Sequence, residues 1–226
     1  KKMQRIIILI AISVLLMQPA KTFSQDINWN NLQKDQKHLL NVNAGIDYGL
    51  TFGARYGYHL RSKIPAILML DLSVPSGDNL ADDFKTKIGG YIRLYQVNHF
   101  QVSAKIMGVF RRYENSYATL LNFGSDMGIA AGYYKRKCFV AGETGFDKAI
   151  VTHFKHTDEY KHNFPLVKDG WYEPATGGNF YYGLQTGFSF RRNDIYLKAG
   201  KILTEDFRTK PMVPFYLQLG YNIWLR

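Results

Sequence analysis

The stretch from Leu40 to Leu60 reads LNVNAGIDYGLTFGARYGYHL; every even-numbered residue is apolar or aromatic, and the odd ones are Asn, Gly, Asp, Thr, Arg and His. A period of two marks extended chain with two unlike faces. As one strand these 21 residues would reach roughly 70 Å at ~3.3 Å each, whereas a tilted membrane strand uses only about 10 residues. The stretch is therefore expected to be a hairpin turning near Asp47 to Gly49, because a loop of odd length preserves the parity across it.

The alternation continues to the end of the chain. From Ala66 to Val74, Phe84 to Leu94 and Phe100 to Phe110 the apolar residues stay even-numbered. From Tyr117 to Tyr133 they become odd-numbered, and further runs follow at Val140 to Phe146, Phe180 to Phe190, Ile195 to Leu203 and Val213 to Leu225. Short polar or basic turns at 61–65, 97–99, 135–137 and 191–194 alternate with longer connections at 75–83, 112–116, 153–177 and 204–212. Short turns at one end and long loops at the other are the habit of an outer-membrane barrel. The pattern predicts an all-β fold, an antiparallel up-and-down transmembrane β-barrel of about ten strands, with eight as the alternative count. A soluble β-sandwich also alternates, but its solvent face would carry Lys and Glu, whereas the polar face here is rich in glycine, from Gly45, Gly53 and Gly57 to Gly200 and Gly220. Small inward residues suit a narrow lumen. Phe180 and Tyr182 at one end of a run, with Phe188 and Phe190 at the other, suit interfacial girdles.

Composition excludes little: 226 residues, 46% hydrophobic and 15% aromatic, fit one large domain or two small ones. The N-terminus says more. Lys1, Lys2 and Arg5 precede an apolar run from Ile6 to Met17 that is too short to span a bilayer, and Thr22 and Ser24 stand at the −3 and −1 places of a cut before Gln25. Residues 1–24 read as a secretory signal peptide, 25–38 as a polar periplasmic leader with a plug or docking peptide as its alternative, and 39–226 as the barrel. Removing the signal takes four basic residues and lowers the formal charge from +11 to +7. Cys138 is the single cysteine, so no intrachain disulfide forms and no cysteine follows the apolar run to carry a lipid. Basic residues cluster only in small groups at 111–112, 135–137 and 191–192, which together with export points away from nucleic acid. The expected partners are outer-membrane lipid and lipopolysaccharide, and an envelope protein; no cofactor is implied.

The C-terminal PFYLQLGYNIWLR (214–226) resembles the β-signal of bacterial outer-membrane proteins, with Leu219, Tyr221, Ile223 and Leu225 at alternate places. It departs in ending on Leu225 and Arg226 rather than on Phe or Trp. FRRYEN (110–115), NFGSD (122–126), FDKAIVTHFKH (146–156) and DGWYEPATGGNFYYG (169–183) are similar to stretches of Bacteroidetes-type exported barrels without an assigned activity. The resemblance implies the outer membrane of a Gram-negative bacterium and brings no mechanism.

Several residues are candidates for chemistry. The lumen of a ten-stranded barrel is filled by side chains. The inward charges Asp47, Arg55, Asp71, Arg93, Lys105, Asp126, Glu143 and Lys198, with Lys85, Lys87, Arg111 and Asp147, are expected to pair, because an unpaired buried charge is costly. A proton or small-ion path is the sharper reading of the same inventory. The longest loop (152–178) holds His153, His156 and His162, with Asp158, Asp169, Trp171 and Tyr172 beside them. Imidazole and carboxylate serve as metal ligands and as acid–base partners. On a strand, however, residues three apart face opposite ways, and no third ligand follows at a recognised interval, so no metal is assigned. Omptin proteases and the small barrels that act on the acyl chains of lipid A suggest a hydrolase, with Asp147, Asp158 and Asp169 or Ser125 and His153 on hand, yet none of their catalytic motifs aligns. Fold alone does not carry function. The role expected first is structural or partner-binding in the cell envelope; a rim-active hydrolase or lipid-modifying enzyme comes second, and a narrow pore for small solutes third.

Overall fold

The computed structural model describes residues 26–33, 35–62, 64–76, 82–174 and 177–226; the expected signal segment lies outside the described residues. The alternating runs form β1 (His38–Ile46), β2 (Leu50–Leu60), β3 (Ala66–Pro75), β4 (Asp83–Val97), β5 (Phe100–Glu114), β6 (Ala118–Tyr134) and β7 (Cys138–His156). A short helix α1 (Asp158–Asn163) and strand β8 (Gly170–Tyr172) follow, then β9 (Gly178–Phe190), β10 (Asn193–Thr204) and β11 (Phe215–Leu225). Every pairing is antiparallel; β6 pairs with β7, β7 with β9, and β1 with β11, so ten strands close into a barrel while β8 lies beside the end of β7. Each of these ten strands is paired on both sides, which removes the open edges that template aggregation. The opening stretch is the predicted hairpin, with Ile46 opposite Leu50 across the turn 47–49.

The apolar parity faces outward. Val42 is 60% exposed, Ile88 66% and Leu219 57%, whereas Asn41, Arg55, Gln101 and Asp126 on the other parity are buried. An apolar exterior around a polar interior is the inverse of a soluble protein and requires a lipid solvent to be stable. Inward glycines have a definite use. Gly220 lies directly opposite Tyr196, and Gly145 opposite Tyr181; a Cβ at either glycine would come within 2.1 Å of that tyrosine side chain. Each ring therefore lies across the neighbouring strand, on backbone that only glycine leaves bare. Tyrosine rings thus cover part of the glycine-rich face.

Strand length is uneven around the barrel. β1 has 9 residues, while β6 and β7 have 17 and 19, well beyond the ~10 that cross a membrane. The long strands rise as a wall at the loop end. Two expected connections shrink accordingly: 112–116 becomes 115–117, and much of 153–177 is strand and helix. One irregularity redirects this wall. Phe123 pairs with Val151 but Gly124 with Ala149, so Ile150 is an extra residue and the parity of β7 inverts above it.

The apolar core sits at the turn end. Residues 26–33 and 35–36 fold back into the barrel mouth, where Ile27 and Trp29 pack with Leu39, Ile67, Met69, Tyr91, Met107 and Trp224. The described residues of this segment thus fill the turn end as an internal plug.

Candidate functional site

Strand pairing brings the inward charges together across the lumen. Asp126 on β6 is 1% exposed and accepts from Lys87 Nζ at 2.6 Å, Lys105 Nζ at 2.8 Å and the Tyr181 hydroxyl at 2.8 Å. Glu143 on β7 accepts from the Tyr216 hydroxyl at 2.7 Å and pairs with Lys198 Nζ at 3.0 Å. Lys85 Nζ meets Asp47 in the first turn at 2.5 Å, and Arg111 holds Asp83 through two bonds of 3.0 and 2.7 Å. Arg55 Nε donates to Asp71 at 2.8 Å while its Nη1 binds Asp26 of the plug. Arg93 departs from this pattern, with its guanidinium 5.9 Å from the ring centroid of Trp29. Sequence reasoning missed Asp26 and Asp83 as partners, and also Tyr181 and Tyr216. The tyrosines had a signal: they sit on the polar parity of their strands, where an aromatic ring must enter the lumen.

The plug is tied to the wall by hydrogen bonds from a run of asparagines. Asn28 Nδ2 donates to the Lys135 carbonyl at 2.9 Å and to Ser189 Oγ at 2.8 Å; Asn30 Nδ2 reaches the Tyr134 carbonyl at 2.5 Å and Asn31 Nδ2 reaches Asp194 at 3.1 Å. Asn222 Nδ2 donates to the Asp26 carbonyl at 2.9 Å, so the tip of the plug is held from the last strand as well. Above the plug a cavity of about 940 Å³ runs from the level of Arg55 and Glu143 to a rim that includes Phe154, Tyr172 and Met212. Cations and carboxylates are nearly equal in number along it, so neither sign prevails.

The histidine segment is split by the parity change on β7. His153 faces outward opposite Trp171, whose ring lies 4.9 Å away and continues through Phe123, Phe110 and Phe84 as an outer aromatic row. Tyr172 and Phe154 turn toward the cavity instead. His156 binds Asp169, which accepts its backbone N–H at 2.9 Å, lies 3.0 Å from its Nδ1 and takes Lys161 Nζ at 2.6 Å. These contacts, that of Lys161 foremost, hold the Asp169 carboxyl well below the usual carboxylate range. Asp158 opens α1 after the N-cap Thr157, and His162 lies in its last turn. Their positions complement the helix dipole. The seven candidates of this segment therefore form no single site, and no group of three metal-binding side chains occurs among the described residues. Ser125 stands four positions along β6 from Leu121, the partner of His153, a separation of about 13 Å that keeps the two from acting as one catalytic pair.

A closed ten-stranded antiparallel barrel with an apolar band outside and charges within defines a transmembrane β-barrel. No family model matches this chain, and no curated protein matches it. Among solved structures, the KdgM porin in complex with disordered oligogalacturonate aligns with 83% of this chain and 99% of its own at 6% identity and a TM-score of 0.41. The KdgM porin by itself gives 0.39, and a mutant porin of Rh. blastica, covering 84% of this chain and 98% of its own, gives 0.20 at 6% identity.

Proposed function

We propose that the protein resides in the outer membrane of a Gram-negative cell as a barrel closed at its base, and that it works through its open loop end, receiving an envelope partner or ligand. One observation carries this reading: residues 26–33 and 35–36 fill the turn end, with Ile27 and Asn28 at 0% exposure, while the cavity opens beyond the ion-paired lumen toward the long strands. A filled base opposes passage of solutes, and the lobe of β7, α1 and β8 offers Trp171, Phe164 and Leu166 at 59%, 53% and 94% exposure as contact area. The test is reconstitution in planar bilayers. The intact barrel is expected to give no steady current, and deletion of residues 26–36 to produce one; steady current through the intact barrel would overturn the closed-base reading.

A narrow pore gated by the plug is the second reading. Asp26 Oδ1, Trp29 Nε1 and Gln36 Nε2 are buried without a protein hydrogen-bond partner. Each such group costs about 1–3 kcal/mol, which weakens the hold of the plug. Brief openings that become longer in Asp26→Ala would support this reading.

A further inference from the structure

The turn end carries a concentrated arc of cations. Lys135, Arg136 and Lys137 form the turn from β6 to β7, Arg191 and Arg192 that from β9 to β10, and Arg226 follows β11; these strands are consecutive around the barrel. Among the described residues the half-exposed carboxylate at this rim is Asp35, which lies 3.6 Å from Arg192 and 2.8 Å from Arg226, while Asp194 at the start of β10 is buried. The 135–137 side chains are exposed, yet their backbone is fixed. Lys135 N–H donates to the Cys138 carbonyl at 2.8 Å, the Lys137 carbonyl accepts Ser189 N–H at 2.7 Å, and plug residues Asn28 and Asn30 take the carbonyls of Lys135 and Tyr134. The plug thus braces the backbone of a turn whose three charged side chains are exposed.

On the membrane side of this arc lie outward aromatics on the same strands. Tyr133, Phe188 and Phe190 are 50%, 55% and 38% exposed, and Phe190 contacts Tyr221 at 6.4 Å between ring centroids. Lys135 Nζ lies 5.6 Å from the centroid of the Tyr133 ring. Exposed Tyr and aromatic side chains on a membrane face mark the level of the headgroups, so the cations sit at the level of phosphates. Clusters of this size beside a membrane segment attract anionic lipid.

We propose that this arc is a docking surface for anionic phospholipid headgroups, their phosphates meeting the 135–137 and 191–192 turns and their acyl chains lying along Tyr133, Phe188 and Phe190. The inference rests on the reading of the chain as a membrane barrel. An acidic protein would be served by the charges alone; the aromatic row directly beneath them fits a lipid, which has both parts.

The test compares retention of phosphatidylglycerol and phosphatidylcholine by the full barrel, purified with a mixture of the two and weighed by native mass spectrometry. Wild type should keep phosphatidylglycerol in preference. The triple variant K135Q/R136Q/K137Q should bind it on the order of a hundredfold more weakly, each charge contributing roughly fivefold. The variant K155Q/K168Q/K210Q, which removes as many charges at the loop end, should behave as wild type. Asp35→Asn should strengthen retention. Equal retention by the 135–137 variant, or equal loss in the loop-end control, overturns the proposal, as does capture of an acidic peptide with no lipid preference. Failure of the underlying barrel reading looks different: wild type would then show no heat-dependent gel mobility and would not enter bilayers.

Discussion

Replacing Asp126 by alanine removes the acceptor that Lys87, Lys105 and the Tyr181 hydroxyl share at 2.6, 2.8 and 2.8 Å. Taking away one partner of a buried ion pair costs about 3–5 kcal/mol, because the remaining charge is left uncompensated. Two features place this case within that range. Both lysines lose the same acceptor and are left facing each other, which raises the cost. Against that, Lys87 keeps Asp147 at 4.0 Å, and the lysine side chains, 20% and 14% exposed, border the cavity. The expected loss is about 3 kcal/mol, or roughly a hundredfold in the unfolding equilibrium. Asp126→Asn preserves the shape but strands the same two cations, so it should cost nearly as much. The combination D126L/K87M/K105M removes the charges together and should recover most of the loss, since well-packed apolar side chains replace buried ion pairs at little cost. Urea midpoints followed by heat-dependent gel mobility in detergent would read these differences. An Asp126→Ala barrel within about 0.5 kcal/mol of wild type would refute the argument that the cross-lumen pairs hold the wall together.

Further outcomes follow from the lobe and the glycines. A carboxyl whose folded pKa is depressed contributes stability above its unfolded value and loses it as pH falls through the folded one. The lobe stapled by Asp169 should therefore resist protease from neutral pH to about pH 4 and loosen only below, whereas loosening near pH 6 would refute the staple; Asp169→Asn should loosen it throughout. Asp206 accepts the backbone N–H groups of Arg208 and Thr209 and the Thr204 hydroxyl, contacts that bring its carboxyl down to about 2, so the 204–209 turn should keep its shape at acid pH by the same sign, as nuclear magnetic resonance would record. Gly220→Ala drives a methyl toward the Tyr196 ring and should lower the urea stability by about 1–3 kcal/mol, while Gly49→Ala, whose Cβ meets nothing, should leave it unchanged.

The alternation that begins at Leu40 decided the class of fold because membrane and lumen are two solvents, and each strand records both in a period of two. Ten strands, an even number, put the start of β1 and the end of β11 at the same end, where Lys37 N–H donates to the Leu225 carbonyl. The alternation marked inward charges such as Asp126, Lys105 and Lys87, though not which would meet, and it did not mark Asp26 or Asp83. Partner choice follows from register between strands, and Asp126 finds Lys87 across 39 residues of chain.

Three features were beyond the sequence. The single extra residue Ile150 inverts the parity of β7, so His153 meets Trp171 on the outer face and His156 meets Asp169 away from it; a bulge depends on the partner strand and leaves no period of its own. The Asp26–Lys37 segment carries no alternation because it lies in neither sheet nor lipid. Its place was decided by contacts such as Asn28 to Lys135, 107 residues apart, which exist only once the barrel has closed around it. The inward tyrosines likewise find their glycines only across a neighbouring strand. Local chemistry thus determined which residues face which solvent, and tertiary closure decided what fills the inside.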